Sequence, residues 1–141
     1  MPGAVPPGGP QVVSSAFVEK DSKFLLVLCP RFRVWRVPGG RPRIGESLEQ
    51  ALAREMEEEL GIRIKNPRFL GYGQDHQYDF LKKKETSRLL MFFHVRITEE
   101  PRIDPDEALE SKWVTFEELR KHENKEGALN EFLKKGTSLR L

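Results

Sequence analysis

Residues 40–62 read GRPRIGESLEQALAREMEEELGI. From Leu48 to Leu60 the stretch is strongly helical. Ser47 is placed as an N-cap, and Glu49 sits in the first turn, where the helix dipole favours an anion. Gly61 follows as a C-cap. Leu48, Leu52, Met56 and Leu60 recur every four residues and make an apolar stripe. Between Glu46 and Leu60 there are six glutamates (46, 49, 55, 57, 58 and 59) and one arginine, Arg54. Glu55, Glu58 and Glu59 fall at i, i+3 and i+4, so they project from one face, within about 100° of arc, beside the stripe. Two like charges about 6 Å apart repel by about 2–3 kcal/mol at an effective dielectric of 20. A divalent cation would turn that repulsion into ligation, and an all-oxygen donor set suits magnesium or manganese better than zinc. Taken alone, the glutamate run is read more simply as a solvated acidic face.

The residues just upstream change the balance. Arg31, Arg33, Arg36, Arg41 and Arg43 place five positive charges within thirteen residues. A basic loop beside a carboxylate cluster is what phosphate chemistry requires. Arginine neutralises substrate oxygens, and a cation neutralises the charge that builds at phosphorus. Surface charge, or pairing with the glutamates, explains any one of these arginines equally well. Pro38-Gly39-Gly40 is expected to turn the chain, with the glycines taking positive dihedrals and exposing their carbonyls.

Outward from this segment the chain alternates strands and helices. Gln11 to Val18 and Phe24 to Cys29 read as a hairpin turning at Asp21-Ser22, the second run being apolar enough for burial on both faces. Val34 to Val37 is a short third strand. Phe69 to Gly73, the region of Tyr78 to Phe80, and Leu89 to Val95 read as further strands, with Lys82 to Glu85 as a hairpin tip. Lys112 to Thr115 is a short strand. A helix follows from Thr115, whose capping-box partner is Glu118, and a last one spans Ala128 to Lys135. The fold class is α/β, a mixed sheet with two or three helices. Residues 1–10, with four prolines and three glycines, read as a disordered tail, and residues 11–141 as one domain.

Composition narrows the function. There are 141 residues, 24 basic and 22 acidic, for a formal net charge of +2. A polycation that coats nucleic acid is excluded on that balance. The one cysteine, Cys29, cannot form an internal disulfide or a cysteine zinc cluster. No apolar run approaches the ~20 residues needed to span a bilayer, and the N-terminus carries no secretory pattern. A cytoplasmic location is expected, with no membrane partner.

The spacing Gly40-x5-Glu46-x7-Arg54-Glu55-Met56-x-Glu58-Glu59-x-Gly61-Ile62 resembles the complete Nudix box, G-x5-E-x7-R-E-U-x-E-E-x-G-U, with all nine constrained positions filled. The resemblance implies the Nudix fold, an α/β/α sandwich around a mixed sheet. It also implies a hydrolase that cleaves a pyrophosphate bond in a nucleoside diphosphate linked to another moiety, using Mg2+ or Mn2+. On that resemblance Glu55, Glu58 and Glu59 are metal ligands, and Gly40 offers a carbonyl. Glu55 or Glu58 orients or deprotonates the attacking water. Arg54 holds the glutamates, and Glu46 ties the loop to the helix. A further acidic ligand is expected downstream, at Glu107 or Glu100.

Substrate-binding candidates are Arg36, Arg41 and Tyr78. A tyrosine sixteen residues past Ile62 resembles the mark of dinucleoside polyphosphate hydrolases, although a sheet aromatic packed on the core explains Tyr78 as well. Nucleotide sugars and nucleoside triphosphates are alternative substrates. A nucleotide-derived small molecule is the expected partner, nucleic acid is not, and a homodimer is possible, as for many relatives. The competing reading is a catalytically silent Nudix-fold module that binds a nucleotide for regulation. The intact set of glutamates argues against it.

Overall fold

The computed structural model describes residues 9–135. The expected Pro/Gly tail lies outside the described residues except for Gly9 and Pro10. The elements are β1 (Gln11–Lys20), β2 (Lys23–Leu28), β3 (Trp35–Arg36), β4 (Gly39–Gly40), α1 (Leu48–Leu60), β5 (Arg68–Asp79), β6 (Lys84–Arg96), β7 (Ser111–Val114), α2 (Phe116–Lys121) and α3 (Gly127–Lys135).

The sheet is mixed, with strand order β3-β2-β1-β6-β5; β4 pairs with β1 and β7 with β2. The centre is the parallel pairing of β1 with β6, in register from Gln11 opposite Arg88 to Glu19 opposite Arg96. Alternation along these strands sends side chains to two cores. Ala16, Val18, Leu25, Val27, Phe93 and Val95 face α1 and meet Leu52, Met56 and Leu60. Phe17, Phe24, Leu26, Leu90 and Phe92 face the other way and meet Leu119 of α2 and Leu129, Phe132 and Leu133 of α3. The result is the expected α/β/α sandwich, and the β2 run is indeed buried on both faces. Phe92 and Phe132 stack with ring centroids 4.8 Å apart.

Two local expectations are corrected. Gly39 and Gly40 do not turn with positive dihedrals; the described glycines with positive φ are Gly9, Gly45, Gly61 and Gly71. Instead they lie extended against β1, Gly39 opposite Ser15 and Gly40 opposite Ser14. Close approach is what demands glycine there. A Cβ on Gly39 would collide with the Ser14 carbonyl oxygen, and one on Gly40 with the Glu55 carboxylate.

The second correction concerns Arg68 to Asp79, which form one twelve-residue strand interrupted by a bulge between Phe69 and Gly71, not two strands. The polar stretch Gln74 to Gln77 is held extended by pairing with β6. Its Asp75 bonds to buried Arg88, a polar match that hydrophobic periodicity cannot signal. The hairpin turn is displaced to residues 80–83, where Asp79 Oδ1 accepts the N–H groups of Leu81 and Lys82. Among the described residues no helix is long and apolar enough to cross a membrane.

Candidate active site

The helix that carries the glutamates is built as its sequence dictates. Ser47 accepts the Gln50 N–H, and the Gln50 side chain accepts the Ser47 N–H, completing a capping box. Gly61 closes the helix at φ 67°. Ala51, Leu52, Met56 and Leu60 are buried on the sheet. That docking leaves Glu55 at the margin, Glu59 inside it and Glu58 outside it.

Arg54 organises the group. Its Nε and Nη2 donate to the two oxygens of Glu46 at 2.8 and 2.9 Å. Nη1 donates to Glu55 Oε1 at 2.7 Å and to Glu58 Oε2 at 3.3 Å, and Nη2 also reaches the Arg41 carbonyl at 3.1 Å. One planar guanidinium thus joins the loop to three carboxylates. Glu46 also accepts the Arg43 N–H at 2.7 Å. The Arg54 bond, followed by this backbone bond, holds Glu46 down to about pKa 2.

Glu59 is the opposite case. It is only 6% exposed, and burial pushes its pKa up to about 8 against the pull of Arg36, with Glu55 and Glu107 adding to the rise. Arg36 Nη2 lies 3.7 Å from Glu59 Oε1, and Arg36 Nη1 donates to the Gly39 carbonyl at 3.4 Å.

A cavity of about 350 Å³ opens between β1, β4, α1 and the loop following β6, and Arg36, Gly40, Arg41, Glu55, Glu59 and Glu107 all border it. A neighbouring groove shares Arg41, Glu55 and Glu107 and adds Arg54 and Glu58. Glu107 arrives through the backbone. Arg102 N–H donates to the Leu60 carbonyl at 2.9 Å, and Asp104 N–H to the Glu59 carbonyl at 3.0 Å. The loop thereby satisfies carbonyls left open at the end of α1. Glu100 lies elsewhere, 3.2 Å from Lys20. Tyr78 does not border either cavity; it packs edge-on against Phe80 at 5.0 Å.

Two bordering residues escaped the sequence reading. Arg88 donates to both oxygens of Asp75, at 3.0 and 2.6 Å, to Gln77 Oε1 at 2.7 Å and to Glu126 Oε2 at 3.2 Å. Glu126, just ahead of α3, is 1% exposed. Burial pushes its carboxyl up, opposed by Arg88 and Arg36. An arginine directly before an apolar strand was the available hint for Arg88; Glu126 offered none.

Among the described residues no three His, Cys, Asp or Glu side chains converge on one point. Glu55 and Glu58 are turned onto Arg54, and Glu59 faces Arg36. The donor chemistry nevertheless fits a hard cation. Glu55, Glu59 and Glu107 share one cavity, an all-oxygen donor set of the kind that Mg2+ or Mn2+ takes.

A NUDIX domain family model matches residues 9–135. The NAD-capped RNA hydrolase NudC of Escherichia coli is 35% identical over 104 residues, which cover 72% of this chain and 38% of NudC. The chain therefore spans well under half the length of these relatives. The MutT protein of Methanosarcina mazei superposes with a TM-score of 0.73 at 23% identity, covering 89% of this chain and 92% of that one. The MutT NUDIX hydrolase of Burkholderia pseudomallei gives 0.68 at 25% identity, covering 88% and 98%.

Proposed function

This chain belongs to the Nudix family, and from that premise we propose that it hydrolyses a pyrophosphate bond in a nucleoside diphosphate linked to another moiety. The observation that carries the reading is the Arg54 fork. It gathers Glu46, Glu55 and Glu58, and Glu55 borders the cavity that Glu59 and Glu107 also line. A structural helix gains nothing from such crowding of like charge.

Glu55, Glu58, Glu59 and Glu107, with the Gly40 carbonyl, would hold Mg2+ or Mn2+. The cation supplies Lewis-acid stabilisation of charge on the phosphates and a more acidic water. The remaining work falls to the protein. Glu55 or Glu58 orients the attacking water and takes its proton. Arg41, exposed at the mouth of the cavity, meets phosphate oxygens of the substrate, where a fixed cation favours the more highly charged transition state. Arg36 borders the same cavity and also faces Glu59, so its charge serves both the phosphates and that carboxylate. Arg54 acts through the glutamates it positions. Water adds to one phosphorus, the bridging P–O bond breaks, and two phosphate-terminated products leave.

The substrate class includes dinucleotides, dinucleoside polyphosphates, nucleotide sugars and nucleoside triphosphates. NudC is named for NAD-capped RNA. A dinucleotide cap presents the same bond as the free dinucleotide, so a capped RNA end falls within this class. The near-neutral charge of the chain argues only against coating a long polyanion.

The test is hydrolysis by the purified chain with Mg2+ across a panel of NAD, ADP-ribose, diadenosine polyphosphates, nucleotide sugars and nucleoside triphosphates. Release of a nucleoside phosphate is expected from at least one member. Glu58→Gln should lower that turnover by about 10²–10⁴-fold with melting unchanged. Equal turnover in this variant would refute the assignment.

A further inference from the structure

Two arginines reach Glu58, and they are held in opposite ways. Arg54 is fixed by its side chain, which donates to Glu46, Glu55, Glu58 and the Arg41 carbonyl and is only 16% exposed. Arg43 is fixed by its backbone alone. Its N–H donates to Glu46 Oε1 at 2.7 Å, and its carbonyl accepts the Glu46 N–H at 3.0 Å. Gly45, at φ 85°, lets the chain close this short turn. The Arg43 side chain stands clear of the turn, 66% exposed, with Nη2 3.6 Å from Glu58 Oε1. That separation is too long for a hydrogen bond, so charge alone holds the pair. Among the described residues Glu58 is the one ion-pair partner of Arg43. An exposed pair of this kind is weak and easily exchanged.

The exchange has a direction. Glu58 is half exposed, whereas Glu55 and Glu59 are largely covered. A divalent cation on Glu58 carries twice the charge of Arg43 and repels it at short range. Arg54 cannot yield without giving up Glu46 and Glu55. Arg43 yields by rotating its side chain, with both backbone bonds intact. Its charge then stays in the groove that it shares with Arg41, Glu55 and Glu58. A freed guanidinium beside a cation site is matched by a phosphate, which takes it in a bidentate pair.

We propose that Arg43 is an exchangeable counter-ion, which holds Glu58 while the cation is absent and passes to the substrate's phosphates once the cation is bound. The inference rests on the hydrolase reading for the cation and for the phosphates. One side chain thereby couples the two binding events. Before the exchange Arg43 competes with the cation for Glu58 and is withheld from phosphate. After it, Arg43 is available to phosphate and no longer competes. Such coupling is reciprocal, so cation and phosphate raise each other's affinity by the same factor.

The experiment reads binding on the full chain and needs no turnover. Mn2+ affinity is measured by electron paramagnetic resonance of the free ion, without nucleotide. Methylenediphosphonate, a non-cleavable analogue of the scissile link, is titrated by calorimetry with and without saturating Mg2+. Arg43→Ala should bind Mn2+ about 2–5-fold more tightly than wild type, the scale of an exposed ion pair. In the same variant the gain in diphosphonate affinity on adding Mg2+ should shrink by a similar factor. Arg43→Lys keeps the charge and should return both values towards wild type. Arg63→Ala removes an equal charge, one that lies 3.7 Å from Glu57 of the same helix, and should change neither value. Two results overturn the proposal and leave the hydrolase reading standing: equal Mn2+ affinity in wild type and Arg43→Ala, or an equal tightening by Arg63→Ala. Absence of Mn2+ binding from wild type and Arg43→Ala alike overturns the cation reading and the proposal with it.

Discussion

Gly40 lies against Glu55 so closely that a methyl group on Gly40 would occupy the place of the Glu55 carboxylate. The neighbouring Gly39 meets backbone instead, at the Ser14 carbonyl. Two adjacent glycines of one short strand therefore answer to different constraints. The atom opposing Gly40 is the end of a flexible side chain, which can move. The atom opposing Gly39 belongs to the central strand, which cannot.

Gly40→Ala should accordingly leave melting almost unchanged while lowering kcat/KM by about 10–100-fold, because a displacement near 1 Å costs that much at a reacting centre. Gly39→Ala should do the reverse at the level of cause, destabilising the fold by about 1–3 kcal/mol through overpacking. Paired urea melts and turnover assays of the two variants check this. Equal losses of stability would contradict it.

Arg54→Lys keeps the charge and removes the fork. A lysine ammonium cannot span both oxygens of Glu46 while reaching Glu55. Glu46, held down to about pKa 2 chiefly by that bond, should return towards the ordinary carboxylate value. Turnover should fall about 10–100-fold, in the range seen when a residue that orients metal ligands is lost. Carboxylate titration by NMR, beside steady-state kinetics, reads both effects.

Glu59 sets a pH dependence. In the unfolded chain it ionises near the reference value of 4.5, and in the folded chain at about 8. Between those values the native state holds a proton that the unfolded state has released, so stability falls as pH rises across the window. Without divalent cation, Glu59→Gln should therefore melt above wild type at pH 8 and lose that advantage towards pH 5. Cation binding displaces the same proton, so affinity for Mn2+ should rise with pH through about 8 in the wild-type chain. Thermal melts and Mn2+ titrations at three pH values suffice.

Phe132 is packed between Phe17 and Phe92, at 5.7 and 4.8 Å, and touches the backbone edge that Gly71 leaves bare. Phe132→Ala should cost about 3–5 kcal/mol. Urea melts of the variant beside wild type check this.

The local order of residues 40–62 was enough to set α1, its Ser47 and Gly61 caps, and the three glutamates on one flank, because capping and i, i+4 spacing act within a few residues of chain. The Thr115–Glu118 capping box was readable for the same reason. Only the tertiary structure brought Arg88 beside Gln11 through the parallel β1–β6 pairing, drew Glu107 to the glutamate helix through Arg102 and Asp104, and set Glu126 against Arg88 across 38 residues of chain. Those relationships depend on which strands neighbour one another, and no short-range periodicity encodes a pairing between segments that meet only when the sheet closes. Gly39 and Gly40 sit on the boundary. Their identity announced a special backbone, and the close approach of Ser14 and Glu55 decided that the need was for space, not for a turn.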